Sequence, residues 1–380
     1  MTNLPANRPS PLVEKVYIDK KSLDSALTER ILANLRGIPR EVVRGPRHKQ
    51  TILEAIRRSD DPVREGKRTL FLTTQKGRFV KPCPCTPRAI GCGYFIINLN
   101  LQCPLDCTYC ILQHYLADPW LVVFTNLEDL WRELEGFLEK QSRRFVRIGT
   151  GELGDSLALD PITRLSTDLI SHFQGKDSVS FELKTKTADI RNLPTAGASS
   201  NIVISWSLNA ERIAVEEEIG APPVAERIRA ARDAANKGYR IGFHFDPLVR
   251  FPGWERDYEA VIHSLFQTVP RSNLAWISLG ALRFPPALKK VIQTRFPATT
   301  IIYDEFILGQ DGKLRYFRPL RLELFRKIAG MIKKWGGENI PLYLCMEGSN
   351  IWREVLQWKP RGKRDVESAL TPRSCRRNNN

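Results

Sequence analysis

The sequence predicts an α/β fold in which parallel strands and helices alternate to form a full or partial (β/α) barrel. Short β-branched or aromatic segments alternate with longer helical ones six or seven times between residues 94 and 347. Such alternation is typical of parallel strands joined by right-handed crossovers. Polar residues also recur at the carboxyl ends of the predicted strands, where barrels carry their active sites. This second observation favours a barrel over a flat, doubly wound sheet.

The elements follow in order from the N-terminus. Apolar residues at three-to-four spacing predict an amphipathic helix over residues 20–39, which Pro39 ends. A basic, partly extended segment then continues to about residue 82. The predicted strands cover residues 94–101, 145–151, 179–186, 201–209, 239–247, 275–282 and 341–347. The predicted helices between them cover residues 127–141, 162–173, 224–238 and 318–336.

This pattern divides the chain into three parts. Residues 1–90 are expected to form a helical and basic N-terminal extension, and residues 91–350 the partial barrel. Residues 351–380 are strongly basic, end in three asparagines and are expected to be a flexible tail.

The chain carries a formal net charge of +16, which favours a polyanionic partner such as nucleic acid. Between residues 37 and 82, twelve Lys and Arg residues stand against five Asp and Glu residues. A role of this charge in solubility alone remains the alternative. The N-terminus lacks a secretory pattern, and no segment approaches the roughly 18 apolar residues that span a bilayer. We therefore expect a cytoplasmic protein that does not bind membranes, in which clustered cysteines bind metal rather than form disulfides.

Three cysteines lie close together in the segment LNLQCPLDCTYCILQHY, which covers residues 99–115. Cys103, Cys107 and Cys110 have the spacing Cys-x3-Cys-x2-Cys. Three thiolates on one short loop can bind three corners of a cubane iron–sulfur cluster and leave the fourth iron open. An open position distinguishes catalytic metal sites from closed structural ones. The alternatives are a structural zinc that takes a fourth ligand from Cys92 or His114, and cysteines that only pack in the core.

This spacing, with Tyr109 just before the last cysteine, resembles the signature of the radical S-adenosylmethionine (SAM) superfamily. The resemblance implies a [4Fe–4S] cluster whose fourth iron binds SAM, and an external one-electron reductant such as flavodoxin or ferredoxin. It also implies the partial (β/α)6 TIM-type barrel of that superfamily. In such enzymes the cofactors carry the chemistry, and the protein positions them and excludes solvent.

Further motifs narrow the resemblance to the spore photoproduct lyase family, over about residues 14–352. These motifs are CTYCILQ, Thr185–Lys186, WSLNAER, IGAPPVAERIRAARDAANKGYRIGFHFDP and WERDY. The founding activity of that family, reversal of a thymine dimer lesion in spore DNA, implies DNA rather than RNA as a partner. The resemblance also implies the residues that contact SAM, which are Tyr109, Lys186, Ser207 and Asn209. In addition, Gly151 and Glu152 in GTGE resemble the Gly-Gly-Glu element that holds the SAM amino group in other radical SAM enzymes.

Two positions depart from the lyase pattern. Glu152 replaces the cysteine that returns a hydrogen atom to the product radical, and Ile111 replaces a tyrosine of the radical relay. A carboxylate cannot replace a thiol as a hydrogen-atom donor, because its O–H bond is much stronger. We therefore hypothesise a radical SAM enzyme with a different substrate, again a nucleic acid. The alternatives are a genuine photoproduct repair lyase and a non-catalytic nucleic-acid-binding protein stabilised by metal.

The remaining candidates have no assigned catalytic role. Cys83, Cys85 and Cys92 could bind a second metal, and Cys345 is the candidate substitute for the missing hydrogen donor. Two pairs of polar residues at strand ends could contact substrate or be buried polar pairs. These are His244 with Asp246 and Cys345 with Glu347. For Cys375, in the basic tail, we expect an exposed thiol without a role.

Overall fold

The structure is a computed structural model that describes residues 13–86, 88–142, 144–195 and 201–371 of the 380 residues. The strands are β1 (Lys15–Asp19), β2 (Arg40–Val43), β3 (Thr69–Thr73), β4 (Val80–Pro82), β5 (Tyr94–Ile97), β6 (Asn100–Leu101), β7 (Asp106–Cys107), β8 (Leu121–Phe124), β9 (Val146–Thr150), β10 (Val179–Thr185), β11 (Ile202–Ser207), β12 (Glu218–Ile219), β13 (Arg240–Leu248), β14 (Leu274–Ala281), β15 (Arg283–Phe284), β16 (Phe306–Leu308), β17 (Leu314–Tyr316) and β18 (Leu342–Leu344). The helices are α1 (Ala26–Asn34), α2 (Pro46–Arg57), α3 (Pro62–Lys67), α4 (Leu112–Tyr115), α5 (Leu127–Lys140), α6 (Asp160–Thr163), α7 (Leu165–Phe173), α8 (Glu211–Glu217), α9 (Val224–Asn236), α10 (Trp254–Thr268), α11 (Pro286–Arg295), α12 (Arg318–Gly336), α13 (Ser349–Leu356) and α14 (Lys363–Leu370).

A curled sheet of eight strands forms the centre of the fold, in the order β18-β14-β13-β11-β10-β9-β5-β4. The seven strands from β5 to β18 run parallel, and β4 pairs antiparallel with β5 at one edge. These seven strands correspond to the seven predicted from the sequence. The arrangement is a partial barrel, so the predicted fold class is confirmed.

Apolar residues dominate these strands, with a few buried polar residues such as Ser205 in β11 and Ser278 in β14. Every residue of β14 is buried, as are nearly all residues of β10 and β11. Strands buried on both faces are typical of parallel sheets covered by helices. Inside the barrel, space is so limited at Gly149 in β9 that an added Cβ would lie 2.2 Å from the carbonyl oxygen of Glu182. The apolar strands therefore bring their carboxyl ends to one rim.

The N-terminal part differs from the helical and basic extension expected from sequence. It contributes β1, β2 and β3 to a second sheet of order β2-β1-β3-β8-β6, which β6 and β8 complete from beyond residue 90. The expected helix over 20–39 shortens to α1, because residues 20–22 form a 3₁₀ turn and Ser25 is extended before the helix. Buried residues of both sheets belong to one continuous apolar core. The domain boundaries given above remain a prediction.

The C-terminal part also differs from the expected tail. Residues up to 371 include α13 and α14, and Val366 and Leu370 of α14 are buried. The rest of that tail, with Cys375, lies outside the described residues. Among the residues that are described, no helix is long and apolar enough to cross a membrane.

Candidate active site

A cavity of about 450 Å³ opens at the carboxyl ends of the barrel strands. Thr185 and Ser207, the last residues of β10 and β11, line it, which agrees with the rim position expected for a barrel site. The seven cysteines in the described part of the chain all line this cavity: Cys83, Cys85, Cys92, Cys103, Cys107, Cys110 and Cys345. The cavity thus unites two groups of thiols that are separate in the sequence.

Cys103, Cys107 and Cys110 lie on a loop that the protein fixes at several points. The ammonium of buried Lys67 donates hydrogen bonds to the carbonyl oxygens of Cys103, at 2.7 Å, and Leu105, at 2.5 Å. In the middle of the loop, β7 pairs antiparallel with β12, which sets Cys107 opposite Glu218. The loop is therefore held mainly through backbone contacts, which leaves its thiols available as ligands.

These thiols fit a [4Fe–4S] cluster with one open iron, because they are three sulfur donors facing one cavity. Burial raises the pKa of Cys107 to about 12 and raises that of Cys103 as well. The thiols of Cys103 and Cys107 are therefore protonated at neutral pH, and binding of a metal would release their protons. Within the described ranges, no three His, Cys, Asp or Glu side chains surround the position of a single metal ion. A cubane holds its ligands further apart than one ion does, because iron and sulfide lie between them.

Of the residues predicted to contact SAM, the cavity is lined by Tyr109, Gly151, Glu152, Lys186 and Ser207. Asn209 is fully buried and does not line it. Strand β11 ends at Ser207, and the Asn209 side chain then bonds within the protein. Its amide donates to the carbonyl oxygen of Pro247 at 3.0 Å and accepts from Tyr258 Oη at 2.5 Å.

Glu218 joins three of these predicted residues, and sequence reasoning missed it. Its carboxylate accepts hydrogen bonds from Tyr109 Oη, from Lys186 Nζ at 3.0 Å and, at 3.5 Å, from Asn209 Nδ2. It also forms an ion pair of 2.5 Å with Arg227, and both side chains are fully buried. Burial alone would raise the pKa of Glu218, but Lys186 and Arg227 lower it to about 2. In the run of three glutamates at 216–218, no local signal singles out this one.

Asp155 fixes the end of β10 beside the loop after β9. One carboxylate oxygen accepts from Thr185 Oγ1 at 2.6 Å, and the other accepts from the backbone amide of Lys186 at 2.7 Å. In the same loop, Glu152 forms an ion pair with Lys184. The pKa of Lys184 is raised, because this ion pair outweighs the effect of burial. Gly151 has a φ of +97°, and an added Cβ would lie 2.7 Å from the carbonyl oxygen of Lys184. Only glycine fits there.

Known proteins resemble this chain in sequence and in fold. A sequence profile of the family described as spore photoproduct lyase matches residues 12–318. The chain belongs to the spore photoproduct lyase family. Its similarity to the Bacillus subtilis spore photoproduct lyase is 24% identity over 76% of this chain and 84% of the relative. For the Clostridium acetobutylicum spore photoproduct lyase, the identity is 23% over 80% and 90%.

A solved spore photoproduct lyase structure with bound AdoMet and a dinucleoside spore photoproduct has a similar fold. Its TM-score is 0.73 at 22% identity, and the match covers 88% of this chain and 98% of that one. The predictions that this chain resembles the radical SAM, spore photoproduct lyase-like family and that it is an enzyme are confirmed.

Within this member of the spore photoproduct lyase family, the two departing positions both reach the cavity. Glu152 lines it through the loop after β9, and Ile111 lines it with 40% of its surface exposed. An exposed aliphatic side chain next to the cluster loop offers no redox chemistry. Both departures therefore border the cavity.

His244, Asp246 and Glu347, the other candidates at strand ends, all contact polar or charged neighbours. His244 bonds to Ser278 Oγ at 2.6 Å and Glu182 Oε1 at 2.8 Å, and Asp246 forms an ion pair of 3.0 Å with Arg283. Both side chains thus have polar partners, and both line the cavity; His244 is buried and Asp246 is half-buried. Glu347 is buried beside Arg315 at 3.4 Å and does not line the cavity.

Proposed function

We propose that this chain is a radical SAM enzyme that acts on a nucleic acid, with its [4Fe–4S] cluster on Cys103, Cys107 and Cys110. The support for this proposal is the shared cavity, which three thiols of the cluster loop line together with Lys186 and Glu152. One loop offers soft sulfur ligands, and the strand ends beside it offer a cation and an anion. These groups match the needs of an iron–sulfur cluster and of a ligand that carries a carboxylate and an amine.

When bound and reduced, the cluster supplies the electron that cleaves SAM to methionine and a 5′-deoxyadenosyl radical, with flavodoxin or ferredoxin as the proposed reductant. The chain's own residues bind and orient. The Lys186 ammonium has three N–H groups, of which Glu218 accepts one, so others remain for the carboxylate of SAM. The Glu152 carboxylate, which pairs with Lys184 in this structure, would bind the amino group of SAM in place of Lys184. Tyr109 and Ser207 offer a ring and a hydroxyl for the nucleoside part.

A nucleic acid substrate is supported by the family and by the distribution of charge. The curated relatives are named spore photoproduct lyase, and a solved relative holds a dinucleoside spore photoproduct. Several exposed cations of the N-terminal part form no ion pair with any described residue. These are Arg40, Arg44, Arg47, Arg58, Lys76, Arg78 and Lys81. Free surface cations favour binding to phosphates, and we propose DNA rather than RNA.

The proposed substrate differs from the thymine dimer lesion of spore DNA. Glu152 cannot return a hydrogen atom, because its carboxylate has no thiol-like hydrogen to give. Ile111 replaces the relay tyrosine at the edge of the cavity. The alternative, a genuine photoproduct repair lyase, is favoured by the names of the relatives.

Anaerobic reconstitution tests this proposal. We expect the reduced cluster to change its EPR signal when SAM is added, and 5′-deoxyadenosine to be released under reductant. Irradiated thymine-containing DNA should then bind without being restored to thymine. Clean repair to thymine would instead support the repair lyase. Bound zinc without any response to SAM would contradict the enzyme proposal and support a metal-stabilised nucleic-acid-binding protein.

Lys186→Ala is expected to weaken SAM binding by about ten- to a hundredfold. A hydrogen bond to a charged group contributes about 1.5–3 kcal/mol, and each 1.4 kcal/mol is about tenfold in affinity. The dissociation constant of SAM would be measured with the reconstituted protein. Lys176→Ala is the control, because this half-buried lysine pairs with Glu135 and does not line the cavity. Unchanged affinity in Lys186→Ala would contradict the proposed role.

A further inference from the structure

Four further thiols lie on the cavity wall, three of them in the loop between β4 and β5. Those strands pair antiparallel with Pro82 opposite Phe95, and the amide of Cys83 donates to the carbonyl oxygen of Tyr94 at 2.9 Å. Beyond this pair the chain turns, and the amide of Cys85 donates to the carbonyl oxygen of Cys83 at 2.7 Å. A Cβ added to Gly91 would lie 3.7 Å from Cys85 Sγ. The Cys85 side chain thus packs across its own loop, towards the segment that carries Cys92.

The fourth thiol comes from the opposite end of the sheet. Cys345 follows β18, and its amide donates to the carbonyl oxygen of Leu279 at 2.8 Å. The amide of Ile90 donates to the carbonyl oxygen of Glu347 at 2.9 Å, which ties the β4–β5 loop to the segment containing Cys345. Because the barrel curves, Cys345 lies on the same cavity wall as Cys83, Cys85 and Cys92, although it is 253 residues from Cys92 in the sequence.

Ion pairs beneath both segments hold them in place. Thr86 Oγ1 donates to Asp311 at 3.0 Å, and Arg315 pairs with Asp311 at 2.8 Å and with Glu347 at 3.4 Å. Since Thr86 follows Cys85 and Glu347 lies two residues after Cys345, this network fixes both sources of thiols relative to each other.

Arg147 provides an independent observation that points to an anion here. Its side chain is 1% exposed, and Nη1 donates to the carbonyl oxygen of Cys92 at 3.3 Å. Its Nε and Nη2 atoms have no hydrogen-bond partner among the described residues. Arginine stays charged when buried, and the Arg147 guanidinium lies over the ring of Trp276, 4.3 Å from its centroid, and near the rings of Tyr94 and Tyr343. These rings attract the charge but accept no conventional hydrogen bond, so the buried N–H groups still lack an acceptor. Glu182 attracts Arg147 electrostatically but forms no hydrogen bond with it, and its Oε1 atom accepts from His244 and Trp276.

We propose that Cys83, Cys85, Cys92 and Cys345 ligate a second [4Fe–4S] cluster, closed by protein at all four irons. Four thiolates around the cluster make it net negative, which would neutralise Arg147. Arg283 also lies near this position, with Nη2 3.7 Å from Cys345 Sγ. A zinc ion would draw four sulfurs to about 2.3 Å from one point, an arrangement that the described residues do not show.

This assignment is independent of the proposed function and changes one expectation from the sequence. A thiolate bound to iron carries no S–H bond, so Cys345 as a cluster ligand cannot be the substitute hydrogen donor. With all four irons closed, the second cluster also has no position for SAM. It would act as a redox or structural centre on the wall of the same cavity.

Iron and acid-labile sulfide in the anaerobically reconstituted full chain test the assignment. We expect about eight irons per chain in the wild type, since each [4Fe–4S] cluster holds four. The variant Cys103→Ala/Cys107→Ala/Cys110→Ala should keep about four irons and show no change in EPR with SAM. The variant Cys83→Ala/Cys85→Ala/Cys92→Ala/Cys345→Ala should keep about four and still respond to SAM. Cys375→Ala is the control for the loss of a cysteine.

About four irons in the wild type and none in the triple variant would overturn the second cluster, as would stoichiometric zinc in the triple variant. If the quadruple variant loses all iron through misfolding, Cys83→Ala/Cys92→Ala in the triple-variant background gives a second test. Only two thiolates then remain at the second site, so the remaining iron should be lost while the circular dichroism stays unchanged. Full retention of that iron would also overturn the assignment. If the cluster on Cys103, Cys107 and Cys110 does not respond to SAM, the iron content of the triple variant still shows whether the second cluster is present.

Discussion

Replacing Cys107 with alanine is expected to abolish SAM cleavage and to remove one cluster, about four irons, from the reconstituted protein. Cys107 is 6% exposed and lies in β7, whose pairing with Glu218 fixes its position. We therefore expect that no neighbouring thiol takes its place as a ligand. Loss of an outer-shell partner of a metal typically costs about 10–100-fold. Loss of a ligand should therefore lower the rate of 5′-deoxyadenosine formation by more than about 100-fold.

Ile111→Ala is the matched control for this experiment. Ile111 lies one residue beyond the cluster loop and lines the same cavity, but it carries no ligand atom. It should keep the full iron content. A Cys107→Ala protein that retained its iron and still cleaved SAM would show that the cluster is bound elsewhere in the chain.

The barrel could be predicted from the sequence because its strands carry the signal in their own residues. Buried parallel strands such as β11 and β14 are mostly apolar runs, and the helices between them have a regular apolar spacing. The N-terminal sheet could not be predicted in this way. Its short strands β1, β2 and β3 pair with one another across intervening helices, and β3 also pairs with β8, which lies beyond the cysteine loop of residues 103–110. That pairing is a tertiary contact without a local pattern.

The residues of the candidate site differ in the same way, because some form a local sequence motif and others are brought together only by the fold. The cluster cysteines are predictable because all three stand within eight residues. Glu218 was missed because its importance comes from Tyr109, Lys186 and Arg227, which come from three other segments. The predicted strand over residues 201–209 includes Asn209, but β11 ends at Ser207, so the two side chains do not both face the cavity. Site residues that form a motif within one segment can be predicted from the sequence. Residues whose role comes from contacts between distant segments cannot.

Glu218→Gln is expected to lower the free energy of unfolding at pH 7 by roughly 3 kcal/mol. Removing one partner of a buried ion pair typically costs about 3–5 kcal/mol, because the other charge stays buried. The pKa of Glu218 in the folded chain is about 2, below its ordinary value of 4.5. A lowered pKa stabilises the fold above pH 4.5, and this contribution disappears as the pH falls towards 2. The difference between wild type and variant, measured by urea unfolding, should therefore shrink across that window.

Glu216→Gln is the matched control, since Glu216 is half exposed and pairs only with Arg212 at i,i+4. Such surface pairs contribute about 0.3–0.5 kcal/mol, so its unfolding curve should nearly match the wild type at every pH. Comparing Glu218→Gln with Glu216→Gln thus separates the effect of a buried carboxylate from the effect of a lost negative charge. A Glu218→Gln deficit that stayed constant from pH 7 to pH 3 would mean that packing, rather than ionisation, makes Glu218 important to the site.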